Sequence, residues 1–238
     1  MPATCYIQPP KLLKASARCL SILTALCLGG CAGPLRENQA RVVSEASVKV
    51  ESLPEWQKAV SLADLERLKG LGATWREALA EASKAGLKRA ISAEGKLLEA
   101  GAGLPFPVPS PGNYLCRIIR IGSVTARQRP FTTSKPDFCY VGVDEAGRLW
   151  IDKQTGPEQI TGSLFVDDGA QRLIFLGARK IGGRQQAPAY GKGGGRDLAG
   201  VLERVGALRY RLTIPRAQAA AAKLELLELT PAPIQLEG

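Results

Sequence analysis

The chemistry open to this chain is bounded by six cysteines and by the absence of histidine. Histidine is the usual general base beside a nucleophile and the commonest metal ligand, so His-dependent triads and His metal sites are excluded. Cys31 closes the run Leu28-Gly29-Gly30-Cys31, behind an apolar stretch over residues 19–30 that follows Lys11, Lys14 and Arg18. Basic, apolar, small and then cysteine is the order of residues in a bacterial lipoprotein signal peptide. The apolar stretch is well short of the roughly 20 residues that a membrane-spanning helix needs. Cleavage is therefore expected between Gly30 and Cys31, with lipid added to the Cys31 thiol. A secretory signal with a coincidental cysteine is the alternative. One acyl chain holds a protein to a bilayer only marginally, at about 0.8 kcal/mol per buried CH₂, whereas two or more anchor it stably.

The other cysteines follow from that cut. Cys5, Cys19 and Cys27 leave with the signal, and only Cys116 and Cys139 remain beside Cys31. Exported compartments favour disulfides, so these two are expected to pair, which should contribute about 3 kcal/mol by closing the intervening loop. Two buried free thiols are the alternative. A catalytic thiolate fits poorly with no histidine to activate it. Cysteine zinc sites need about four ligands, so neither a metal nor another cofactor is expected. Ala32 stands where an aspartate would signal retention at the inner membrane in sorted lipoproteins. The expected location is thus the cell envelope, at the periplasmic face of the outer membrane.

Other chemistries leave weaker traces. Asp167-Asp168 and Asp144-Glu145 are adjacent carboxylates of the kind glycosidases use, but both pairs fall at expected hairpin turns, so no catalytic residue is assigned. The cluster Gly191-Lys192-Gly193-Gly194-Gly195-Arg196-Asp197 could cradle phosphate on backbone amides. It lacks the Ser or Thr after Lys and the strand-to-helix setting of a phosphate loop, which leaves a flexible connection. Of the mature serines, Ser44 and Ser47 sit near the amino terminus and Ser163 within an expected strand. Arg117, Lys153, Arg196 and Asp197 are the polar residues that could line a barrel mouth; ordinary surface ion pairing is the competing reading.

Charge narrows the partners. The whole chain has 32 basic and 22 acidic residues, and residues 1–30 hold three of the basic ones, which leaves a net of +7. Most of the excess lies in residues 113–238, with 18 basic against 12 acidic. A basic domain tethered beside anionic lipid or cell-wall polymer is drawn to it. Nucleic acid is not an expected partner of an exported protein, and aromatics at 5% are sparse for base stacking.

These groups must be positioned by the elements around them. Residues 1–30 read as the signal, 31–52 as a polar tether, 53–103 as a helical region, 104–112 as a Pro-rich linker, 113–231 as a β domain and 232–238 as a tail. Pro54 is placed as a first helical residue, and Ser61 with Asp64 as an N-cap. Leu62, Leu65 and Leu68, then Trp75, Leu79 and Ala82, recur at helical spacing, with Gly70 and Gly72 as interruptions. Leu87, Ile91, Leu97 and Leu98 suggest a weaker helix around Gly95. Prolines 105, 107, 109 and 111 forbid helix and central strand and favour polyproline II. Beyond them the period becomes two, with strands expected at 114–121, 137–143, 147–153, 159–166, 171–179, 198–205, 208–214 and 223–230. Eight strands joined by short turns suggest an α+β fold in which an antiparallel barrel or a strongly curled sheet follows the helices. Cys116 and Cys139 fall on the first two strands, across the 122–136 loop.

The tract Pro111-Gly112-Asn113-Tyr114-Leu115-Cys116-Arg117-Ile118-Ile119-Arg120-Ile121-Gly122 resembles the opening of the domain-of-unknown-function family numbered 4893. So do Phe138-Cys139, Lys153-Gln154-Thr155-Gly156, Leu173-Ile174-Phe175-Leu176-Gly177, the stretch from Tyr190-Gly191 through Arg196-Asp197 to Gly200, Leu202-Glu203-Arg204 and Tyr210-Arg211-Leu212. Upstream, Trp56, Leu65, Trp75 and Leu79 also fit, so the likeness covers residues 53–231. The resemblance implies an exported bacterial protein and supports the pairing of 116 with 139. It brings no activity and no catalytic residue.

The expected function is a lipid-anchored envelope module that binds rather than catalyses. Its membrane contact runs through the lipid on Cys31, and its partner is an envelope protein, the cell wall or a small ligand. The alternative is an envelope hydrolase with a Ser/Lys or carboxylate site that sequence does not expose.

Overall fold

The computed structural model describes residues 53–169, 171–180, 187–216 and 222–233. The signal segment, Cys31, the tether through residue 52 and the tail beyond 233 lie outside them. Among the described residues four helices come first: α1 (Glu55–Ala59), α2 (Leu62–Lys69), α3 (Leu71–Lys84) and α4 (Lys88–Ala93), followed by a 3₁₀ turn, Gly95–Leu97. Ser61 caps α2, its Oγ accepting the Asp64 N–H at 3.1 Å. Pro54 is the residue before α1 rather than its first helical residue: its ψ of 149° is extended, and its carbonyl accepts the Gln57 N–H. Gly70 ends α2, but Gly72 lies inside α3. A glycine within a helix costs about 1 kcal/mol, which is less than α3 gains by burying Trp75, Ala78 and Ala82.

Nine antiparallel strands follow among the described residues: β1 (Gly112–Ile121), β2 (Phe131–Thr133), β3 (Asp137–Val143), β4 (Leu149–Lys153), β5 (Ile160–Val166), β6 (Leu173–Arg179), β7 (Asp197–Gly206), β8 (Arg209–Pro215) and β9 (Leu224–Pro231). Eight run in the order β1-β3-β4-β5-β6-β7-β8-β9, and β9 pairs with β1 from Leu224↔Ile121 to Pro231↔Tyr114. The sheet is therefore a closed barrel rather than a curled open sheet. β2 is an extra strand within the expected 122–136 loop. It pairs with Ile119–Ile121, where β3 has already left β1. Its three residues are too few for a period of two to stand out.

Alternation fills the barrel. Tyr114, Cys116, Ile118, Cys139, Val141, Ile151, Ile160, Leu164, Leu173, Phe175, Leu202, Tyr210, Leu212, Ile214, Leu227 and Leu229 form one buried cluster inside it. Gly162 and Gly177 face each other across β5 and β6, and a Cβ at either would meet the Phe175 ring at 2.6 Å. The glycine pair is what lets that ring fit the interior. The Cys116–Cys139 disulfide joins β1 to β3 inside the same cluster, with a Cα–Cα distance of 5.9 Å.

The helices cover part of the outside. Trp75, Ala78 and Ala82 of α3 pack with Ile119, Ile121, Leu224 and Leu226, while Trp56 packs with Ile174, Leu176, Ala199 and Val201. Residues 104–112 also lie against the barrel: Leu104 N–H donates to the Arg204 carbonyl, Arg204 donates to the Pro105 carbonyl, and Pro107 and Pro109 are buried. No described helix is long and apolar enough to cross a membrane.

Arg211 fastens the two layers. It points outward from β8 yet is only 1% exposed. Its guanidinium donates to Glu203 at 2.7 Å and to the carbonyls of Leu97 and Glu99 at 2.8 and 2.9 Å, and it lies 4.6 Å from the Trp75 ring centroid. The planar fork pairs with a carboxylate, reaches carbonyls at and just beyond the 3₁₀ turn and stacks on an aromatic face, a combination that suits a guanidinium better than an ammonium. Arg211→Ala strands those partners in a buried site and is expected to cost about 3–5 kcal/mol. Urea unfolding of the two chains checks this, with Arg211→Lys recovering only part of the loss.

Candidate functional site

The two ends of the barrel differ in chemistry because the inward-facing positions change character along the strands. At the end formed by the start of β1, β4, β6 and β8, the inward residues stay apolar. There, a cleft of about 800 Å³ opens among residues 108–111, the β3–β4 turn, and the ends of β5 and β6. Leu149, Leu164 and Leu173 line its depth. Val108, Val143 and Val166 form its rim and are 55, 49 and 66% exposed.

Local chemistry holds the walls. Tyr114 donates its hydroxyl to the Ser110 carbonyl at 2.7 Å, fixing the proline strap; burial pushes this phenol up to about 12. Asp144 Oδ1 accepts the N–H groups of Ala146 and Arg148, closing the β3–β4 turn. Arg148 lies over the Phe165 ring at 4.7 Å and donates to Glu55 at 2.6 Å, which brings the start of α1 to the rim. Pro54 and Glu55 line the cleft, so the start of α1 forms part of this mouth.

At the opposite end the same inward parity becomes charged. Arg120, Glu225, Arg179 and Arg216 each continue the inward series of β1, β9, β6 and β8. Glu225 accepts from Arg120 and Arg179 at 3.0 Å and from Arg216 at 2.7 Å. Glu158 reaches in from the β4–β5 loop to Arg120 and to Arg179, the latter at 2.8 Å. Its φ of 57° is in the left-handed region, a local strain the ion pairs offset. Lys153 is fully buried beside this group and donates to Asp137, Thr155 O and Pro157 O at 2.6, 2.6 and 3.0 Å. All three ammonium protons are thereby occupied, so Lys153 is not a base for a serine.

The four polar residues singled out from the sequence are not brought together. Lys153 belongs to the charged plug. Arg117 faces outward from β1 between Glu94 and Glu228, whose hydrogen bonds hold the guanidinium charged above its ordinary range. Arg196 donates to the Gly193 carbonyl, and Asp197 accepts the Gly193 N–H, closing the glycine turn. Asp167 pairs with Arg172 in a hairpin, and Ser163 lies on β5. Among the described residues no three His, Cys, Asp or Glu side chains gather as a metal site. The plug residues Arg120, Glu158, Arg179, Arg216 and Glu225 were not singled out. For the three arginines and Glu225 the signal is charge that continues the inward series of strands otherwise apolar inward; Glu158, in a loop, carries no such signal.

The arrangement defines a class: a small helix-clad antiparallel barrel, filled inside, charged at one end and apolar at the other. The chain belongs to the family described as a domain of unknown function, DUF4893, whose model matches residues 56–229. Comparison with curated proteins and with solved structures found no match.

The plug makes stability depend on acidity. Burial pushes the Glu158 carboxyl upward, but Arg179 and Arg120 outweigh it and hold the group below its usual range. A carboxylate depressed in the folded state stabilises it fully above the unfolded value of about 4.3 and loses that contribution as pH falls through the folded one. Unfolding free energy should therefore fall on acidification below about pH 4.5, and Glu158→Gln should flatten that slope. Chemical denaturation across pH 3–6 reads both.

Proposed function

We propose that this is a lipid-anchored bacterial envelope protein, held through acyl groups on Cys31 at the periplasmic face of the outer membrane, that acts as a non-enzymatic binding module. The observation that carries the binding reading is the apolar mouth on a barrel whose interior is already filled. The signal-like residues before Cys31 support the anchor, and the Cys116–Cys139 disulfide suits an oxidising compartment.

The mouth favours a hydrocarbon chain. Its volume lies within the range of small-ligand sites. The polar groups in its walls already have partners, since the Ser110 carbonyl takes the Tyr114 hydroxyl and Glu55 takes Arg148. A peptide would lose water from its amides here without replacement, at about 1–3 kcal/mol for each group. An acyl chain loses nothing comparable and gains about 0.8 kcal/mol per buried CH₂. With the module anchored in the membrane through Cys31, bilayer lipid is the nearest source of such a chain.

Two outcomes test this. Cys31→Ser should move the protein from the membrane to the soluble fraction, and continued membrane association removes the anchor. The Cys31→Ser chain should bind a dansyl-labelled fatty acid saturably. Val166→Asp places a charge on the exposed rim and should weaken that binding at least about tenfold, the equivalent of 1.4 kcal/mol, with no change in melting temperature. Equal binding by both chains removes the mouth as the ligand site.

A further inference from the structure

A second surface has a different chemistry. Phe138 and Tyr140 stand two residues apart on the outer face of β3, and Phe138 is 53% exposed. Trp150, on β4, has its ring centroid 5.4 Å from that of Tyr140. Trp150 pairs in register with Gly142, and its indole lies down over that glycine: a Cβ at 142 would sit 2.4 Å from ring atoms Cε2 and Cζ2. Only glycine permits this pose, so the backbone of β3 holds the ring against the sheet while the residue stays half-buried. Beside it runs a cleft of about 640 Å³, lined in part by Trp150, Thr161, Ser163 and Tyr190.

Thr161 and Tyr190 already spend their hydroxyls on the Ile151 carbonyl and on Asp64, but other hydrogen-bonding groups here are open. The Tyr140 hydroxyl, the Trp150 indole N–H and the Ser163 hydroxyl make no hydrogen bond among the described residues. The rings lie side by side rather than around a centre, so they do not enclose a cation. A hydrocarbon would cover the donors and leave them unpaired. A pyranose matches both features: its C–H face packs on an aromatic ring, and its rim of hydroxyl and amide groups meets the donors.

We propose that the Phe138–Tyr140–Trp150 surface binds a linear glycan, the β-linked amino-sugar strand of the bacterial cell wall. The sugar backbone would cross the platform as a neutral chain. The net +6 charge of residues 113–238 would draw the carboxylates that the wall's peptides carry. The identity of the polymer rests on the envelope reading above; the sugar contact does not, and it is independent of the apolar mouth.

The test uses the full chain in detergent and intrinsic tryptophan emission. Trp56 and Trp75 are buried at 6 and 4% exposure, so a ligand-dependent change reports Trp150. Soluble muramidase-digested peptidoglycan and β-1,4-linked N-acetylglucosamine oligomers should shift that emission saturably. Isothermal titration calorimetry, which does not need the indole that Trp150→Ala removes, should show binding by that variant at least tenfold weaker while its circular dichroism still reads a folded chain. Gly142→Ala, which keeps every ring but lifts the indole, should weaken it as well. Undiminished binding by Trp150→Ala, or no binding by the native chain, overturns the proposal. Binding only to the polysaccharide of lipopolysaccharide overturns the choice of polymer. Oligomer binding by a chain that proves not to be lipidated upholds the sugar contact and discards the envelope reading.

Discussion

Closure of β1 onto β9 is the constraint from which the rest follows. Eight cross-strand pairs, from Tyr114↔Pro231 to Ile121↔Leu224, leave no open edge at that seam. Once the sheet is closed, the pleat assigns every side chain to the interior or the exterior, and a one-residue slip would exchange the two sets. The interior is then small enough for its own side chains to fill, as Phe175 does over Gly162 and Gly177. A ligand is left the ends and the outside of the barrel.

The ends divide by charge. Inward positions that are Tyr, Cys and Ile along β1 become Arg120 at its far end, and those of β9 become Glu225. Three arginines on two glutamates, with Lys153 held by Asp137 and two carbonyls, close that end with partners for every charge. Removing ions from water is costly unless the pairing is nearly complete, which accounts for the dense network there. The opposite end lacks such a network and keeps an apolar cleft. Arg211 applies the same logic on the outside, where a single guanidinium takes the carbonyls of Leu97, at the end of the 3₁₀ turn, and of Glu99 beyond it, and joins the helical region to the sheet.

The strands were readable because alternation is a local signal. The seven strands from β3 to β9 lie within two residues of their expected limits, and β1 begins two residues early, at Gly112. β2 escaped because it has three residues and draws its place from β1. Pro54 and Gly72 show the limit of residue preference: the first caps where it was expected to start a helix, and the second is carried inside a helix by Trp75 and Ala78 packing on the barrel. The polar residues were the least readable. Arg117, Lys153, Arg196 and Asp197 share no site, since each takes its partners from elements distant in sequence or from its own turn.

From its own pattern the chain determined the order of helices and strands, the pairing partners available to Cys116 and Cys139, and the membership confirmed over residues 56–229. These depend on neighbours a few residues apart, or on how few cysteines remain. Tertiary structure alone decided that the sheet closes, which end is apolar, and that Trp150 lies flat on Gly142. Those outcomes depend on register between strands and on volume inside the barrel, and neither quantity is carried by any single stretch of sequence.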